Sequence, residues 1–136
     1  MLVDDIVTFL QANSEIFAQL TGGIHQTVEI SRQLTPAAFD ANKEIKPSAL
    51  VKAGTETAVG PFDDSVQTPF VIYLYQRSGY EDVLAAEHLI FVALHRKKVG
   101  AATWMIMYDS TLYNQYDDAL QCPMMVARFN ATRRKA

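Results

Sequence analysis

The chain predicts an α+β domain: a mixed, mostly antiparallel sheet of about four to five strands with helices packed on one face. Three observations carry this. The elements run as an amphipathic helix, strands, one long helix opening after Gly79-Tyr80, and two further strands. Phe70–Tyr75 and Thr103–Tyr108 are continuous apolar runs rich in β-formers, which suits strands covered on both faces. The 136 residues hold no internal repeat, low-complexity tract or interdomain linker, so they form a single domain.

Residues 2–11 place Val3, Ile6, Val7 and Leu10 at helical spacing with one apolar face. Asn13 or Ser14 then caps a short second helix, because either side chain accepts free backbone N–H groups. Ile16, Phe17 and Leu20 continue its apolar face, and Gly22-Gly23 stops it. From 24 to 31 the residues alternate. Ile24, Gln26, Val28 and Ile30 face one way and His25, Thr27, Glu29 and Ser31 the other, which predicts a half-buried strand. Residues 33–46 read as a loop with one helical turn starting at Thr35-Pro36. Pro47 to Lys52 gives a short strand through Ala49-Leu50-Val51.

Residues 54–66 are dominated by Gly, Pro, Asp and Thr, and read either as a long exposed loop or as an extended hairpin. Pro69 fits the next strand only at its start. Ser78 and Glu81 have capping-box spacing for a helix over about 79–96. Its apolar positions are Val83, Leu84, Ile90, Phe91 and Leu94, and Arg96-Lys97-Lys98 meets the negative end of its dipole. Gly100 marks the exit. After the strand centred on Trp104, residues 109–121 are polar and suit a loop with a short helical turn. Met124 to Phe129 is the final strand.

Composition removes several classes of function. Net charge is −3, so no broad basic field attracts nucleic acid. The one basic cluster, Arg133-Arg134-Lys135, reads as a solvated C-terminal end. A single cysteine, Cys122, excludes an internal disulfide and suits a reducing cytosol; next to Pro123 it reads as a small buried side chain. Asp4 and Asp5 stand where a secretory leader would be basic, so none is expected. No apolar run approaches the about 20 residues that span a bilayer, so no membrane partner is expected.

Catalytic patterns fail at their first requirement. His88 and His95 are separated by about 10.5 Å along one helix, too far to ligate one metal together. Asp63-Asp64 and Asp117-Asp118 are adjacent pairs, which are usually solvated rather than a spaced acid–base pair. There is no phosphate loop, no Gly-x-Ser-x-Gly elbow and no Cys-x-x-Cys. Neither catalysis, a cofactor nor a metal is expected. Tyr113 and Tyr116 stand out in a polar stretch. Tyr supplies contact area at low entropic cost, so they suit an interface; equally, they suit a sheet edge with their hydroxyls in water.

The layout resembles the tail-terminator, or tail-completion, proteins and related neck proteins of long-tailed bacteriophages. Ile16 to Ile24 is similar to that family's short helix running through a glycine turn into its first strand. Pro47 to Val51 and a loop ending Gly60-Pro61 resemble its second strand and extended loop. Phe70 to Tyr75, then Gly79-Tyr80 opening a helix that ends Leu94-His95-Arg96, resemble its central strand and main helix. Trp104 to Tyr108 and Met124 to Arg128 resemble its closing strands. The resemblance implies a virion protein, assembled in a bacterial host cytoplasm, that forms a homo-oligomeric ring, a hexamer. That ring caps the tail tube, meets the head–tail connector or stopper protein, and passes DNA without specific binding. On this reading loop 54–66, with Glu56, Asp63 and Asp64, and residues 130–136, with Arg133 and Arg134, contact other subunits or adjacent rings, as do Tyr113 and Tyr116. The acidic balance suits a bore through which DNA slides. The competing expectations are a neighbouring connector protein or, from another class, a small enzyme or ligand-binding protein whose pocket would gather Glu87, His88 and Tyr108.

Overall fold

The computed structural model describes residues 1–60, 64–102 and 104–135. It contains three α-helices, α1 (Leu2–Gln11), α2 (Ser14–Gln19) and α3 (Glu81–Leu94). One sheet is built from β1 (Ile24–His25), β2 (Ser48–Ala53), β3 (Thr57–Ala58), β4 (Ser65–Tyr75), β5 (Lys98–Val99), β6 (Trp104–Asp117) and β7 (Cys122–Arg134). The strand order is β1-β2-β4-β7-β6-β5, with β3 paired to β4 beyond β2. β1 runs parallel to β2 and the other pairs are antiparallel. The fold is therefore α+β with a mixed sheet, as expected, but the sheet has seven strands rather than four to five.

The helices share one face of the sheet. Ile6, Leu10, Ile16, Leu20, Val83, Ile90 and Leu94 pack into one core with Ala49, Val51, Phe70, Ile72, Leu74, Phe129 and Ala131. The period of two does this: in β4, Phe70, Ile72 and Leu74 enter the helix-side core, while Tyr73 and Tyr75 point to the opposite face. There Leu50, Tyr75 and Cys122 form a second, smaller cluster with Ile30, Ala38 and Ile45. The segment between β1 and β2, with a 3-10 turn at Pro36–Ala38, thus covers part of the other face. This is why Phe70–Tyr75 reads as apolar without interruption.

Asn13 caps α2 as expected, its side chain accepting from the N–H groups of Glu15 and Ile16. Other expectations are corrected. The strand over 24–31 stops at His25, because Ile24 and Ile30 enter different cores and the chain must turn between them. Val28 is left 76% exposed in that turn. Ser78 and Glu81 form no capping box. The buried Gln76 replaces it, its Oε1 accepting from the N–H groups of Asp82 and Val83 while its amide donates to Glu81 and the Ser78 carbonyl. Arg96, Lys97 and Lys98 lie beyond α3, which ends at Leu94, and Leu84 is 48% exposed rather than buried.

Pro69 lies inside β4, not at its start. The Gly54 N–H donates to the Pro69 carbonyl at 2.7 Å. Since a residue's N–H and C=O point to the same side of its strand, the missing N–H of Pro69 faces the break between β2 and β3, where no ladder partner is needed. The described residues on either side of 61–63 accordingly pair as the arms of a hairpin, with Thr57 opposite Gln67 and Ala58 opposite Val66.

The largest corrections concern β6 and β7. The expected loop over 109–121 is strand as far as Asp117, and only residues 118–121 turn. Two register shifts, at Tyr108/Ser110 and Leu112/Gln115, bend the strand and break its alternation. Asn114, with φ 56°, lies in the second. β7 continues to Arg134, so the expected solvated tail is mostly strand, and Ser65 pairs with Arg134.

Candidate interaction surface

The two regions expected to reach outward meet each other first. The β3–β4 hairpin lies against the end of β7, so Glu56 stands beside the C-terminal cations. The Lys135 ammonium donates to Glu56 Oε2 at 2.7 Å and Arg133 Nη2 to Oε1 at 3.4 Å. Arg134 lies 3.9 Å from Asp64, whose carbonyl accepts from the Lys135 N–H. Asp63 lies outside the described residues. The Lys135 hydrogen bond, and then the charges of Lys135 and Arg133, hold the Glu56 carboxyl below its ordinary value.

Arg133 is the centre of this group. Its guanidinium stacks over Trp104 at 4.9 Å, and Trp104 Nε1 donates to Asp5 in α1 at 3.2 Å. An aromatic platform, a guanidinium and a carboxylate thus tie α1, β6, β7 and the hairpin into one corner. Lys98 opposes Met105, which also opposes Thr132, so β5 brings Arg96, Lys97 and Lys98 to the same end of the sheet. Among the described residues these three exposed cations have no carboxylate within ion-pair distance.

Tyr113 and Tyr116 are not part of that corner. They lie toward the other end of β6, 47% and 57% exposed. The 14 residues of β6 separate the two ends by about 40 Å. Tyr80, at the start of α3, donates its hydroxyl to the Gln115 carbonyl at 2.8 Å, and His95, just past the end of α3, accepts from the Tyr108 N–H through Nδ1. α3 therefore runs alongside β6, and the residues flanking it engage two β6 backbone groups, which blunts that edge against simple strand addition.

Between those two contacts sits Glu87, 8% exposed, accepting from the Thr111 hydroxyl at 3.0 Å. Thr111 shares a 2.6 Å hydrogen bond with Tyr108. The Tyr113 phenol is pushed above its ordinary value by desolvation and then by the Glu87 carboxylate. No cation lies within ion-pair distance of Glu87 among the described residues. His88 is exposed on α3, whereas Glu87 and Tyr108 are joined through Thr111. The three residues expected to gather in an enzyme pocket are thus divided between the α3–β6 seam and the outer surface of α3.

Elsewhere an open cleft of about 680 Å³ is lined by Ile30, Arg32, Phe39, Ile45, Arg77 and Leu120 among others. Its arginines are already engaged: Arg32 donates to the Lys43 carbonyl and lies over Phe39, and Arg77 pairs with Glu44 at 2.6 Å. No group of three or more metal-ligating side chains occurs among the described residues. Burial pushes the Cys122 thiol up to about 11, which keeps it from acting as a nucleophile near neutral pH. The described residues thus present two chemically different surfaces at opposite ends of a long hairpin, one ionic and one bearing exposed tyrosines.

Sequence reasoning places Lys135 within the outward-reaching residues 130–136 and Glu87 in an enzyme pocket, and gives no sign of the stacking of Arg133 on Trp104. Glu87 carries a signal in its position, since it shares a helix face with Val83 and Ile90, both buried.

No protein-family model matches the chain, and no curated protein matches it. A solved structure does. A chain described as "Virion of native gene transfer agent (GTA) particle" superposes with a TM-score of 0.67 at 14% sequence identity. The match covers 97% of this chain and 93% of that one. The two chains share their fold from end to end.

Proposed function

We propose that the chain is a structural protein of a phage-like virion, forming a closed ring at the head-proximal end of a tail, where it terminates the tube and joins it to the head. The observation that carries the reading is the near-complete structural likeness to a chain of a gene transfer agent virion. The position at the head-proximal end of the tail, and six copies around a DNA passage, come from the resemblance in sequence layout. The surfaces are compatible with assembly: exposed tyrosines at one end of the sheet and a dense ionic corner at the other offer contact area. The partners on this reading are further copies of the chain, the tail-tube protein and the head–tail connector.

Deleting the coding sequence from the element that encodes the chain tests this. Filled heads and finished tails should accumulate unjoined, as seen by negative-stain microscopy, and the protein supplied in trans should join them. Joined, infectious particles from the deletion would overturn the proposal.

A further inference from the structure

Charge in this molecule is segregated along β6 and β7. One end carries Arg96, Lys97 and Lys98 with no carboxylate partner, beside Arg134 and Lys135. The other carries Glu81 and Asp82 at the start of α3 and Asp117 and Asp118 at the β6–β7 turn, with Glu87 between the two ends, in the seam between α3 and the middle of β6. None of those five carboxylates has a cation within ion-pair distance among the described residues. Glu87 is the telling one. A carboxylate 8% exposed, accepting one hydrogen bond from Thr111, is costly unless a cation completes it. The exposed Tyr113 and Tyr116 provide aromatic surface of the kind on which a cationic side chain packs.

We propose that the acidic, tyrosine-bearing end of the β6–β7 hairpin docks the cationic end of a second copy of this chain, with a Lys or Arg of that copy completing Glu87. The proposal rests on the ring reading and names the contact from which the ring is built. Each end has a predominant sign, so a two-fold dimer through either end would set like charges together. A head-to-tail arrangement satisfies both and closes into rings or runs on as filaments, whereas an antiparallel two-fold pair, which also matches opposite ends, stops at two copies, an outcome that sedimentation would show and that would overturn the proposal. The occupant is a second copy because the chain supplies both halves.

The test uses the purified full chain in sedimentation velocity across a range of concentration and salt. The wild-type chain should associate in low salt and dissociate as salt rises. The Lys97→Glu, Lys98→Glu chain and the Asp82→Lys, Asp118→Lys chain should each be monomeric, and an equimolar mixture of the two should assemble. Glu87→Gln should weaken association about 30-fold or more while leaving thermal stability unchanged or raised, because the cost of an unpaired buried charge disappears with it. Circular dichroism checks that each variant is folded. A wild-type chain monomeric under all conditions, reversal variants that associate like wild type, or a mixture of folded variants that stays monomeric would each overturn the proposal. If the wild type assembles but the reversals change nothing, this interface fails and the ring reading stands. Normal head–tail joining without the chain sinks the ring reading whatever the reversals do.

Discussion

At the scale of single residues, two side chains hold more than their neighbours suggest. Gln76 satisfies two backbone donors at the start of α3 from a buried position, so Gln76→Ala leaves the N–H groups of Asp82 and Val83 unpaired. A loss of about 1–3 kcal/mol is expected in urea unfolding. Glu56 gives a pH dependence whose sign is fixed by the direction of its shift. Its folded value lies below the ordinary one, so its contribution is present above the ordinary carboxylate range and lost as pH falls through the lowered value. Protection of the Lys135 amide, which the Asp64 carbonyl accepts, should therefore fade only in acid below that range. Amide exchange reads it, and Glu56→Gln should remove the dependence. None of this was legible beforehand: Gln76 sits three residues outside the helix pattern, and Glu56 meets its partners across 77 and 79 positions of sequence.

The long hairpin is where reading by element succeeded least. β6 alternates cleanly only until the first register shift, after which an edge strand exposed along one side and bulged twice has the composition of a loop. The ladder to β7 makes it a strand, and no window of local sequence contains that ladder. Where burial is complete the elements were legible. Phe70 and Phe129 are opposed across β4 and β7 with stacked rings 5.3 Å apart, both fully buried. Phe129→Ala should cost about 3–5 kcal/mol, measured as a shift in denaturation midpoint at constant slope. By contrast Tyr80→Phe removes one hydrogen bond between α3 and the β6 edge. It should cost about 1 kcal/mol and raise amide exchange in β6 near Gln115.

For the whole molecule, the two cores on opposite faces of one sheet should unfold together. Cys122 reports this, since it is buried in the smaller core while the helices report the larger. Reaction of its thiol with a disulfide reagent should be slow in native buffer and should rise at the urea concentration where helical signal is lost. Because burial raises its value from 9.0 to about 11, stability should fall as pH climbs through that interval, where the unfolded thiol ionises and the folded one does not.

By itself the sequence determined which segments are apolar with which period. That settled the α+β class, the helices, their shared face of the sheet and the central strands, since burial and periodicity are local properties of a chain. The pairing of the hairpin with the C-terminal strand, the second core beneath residues 30–45, the extension of β6 and the burial of the Glu87 carboxylate against Thr111 were decided by tertiary structure. They depend on residues distant in sequence coming within a few ångströms, and on where the sheet ends.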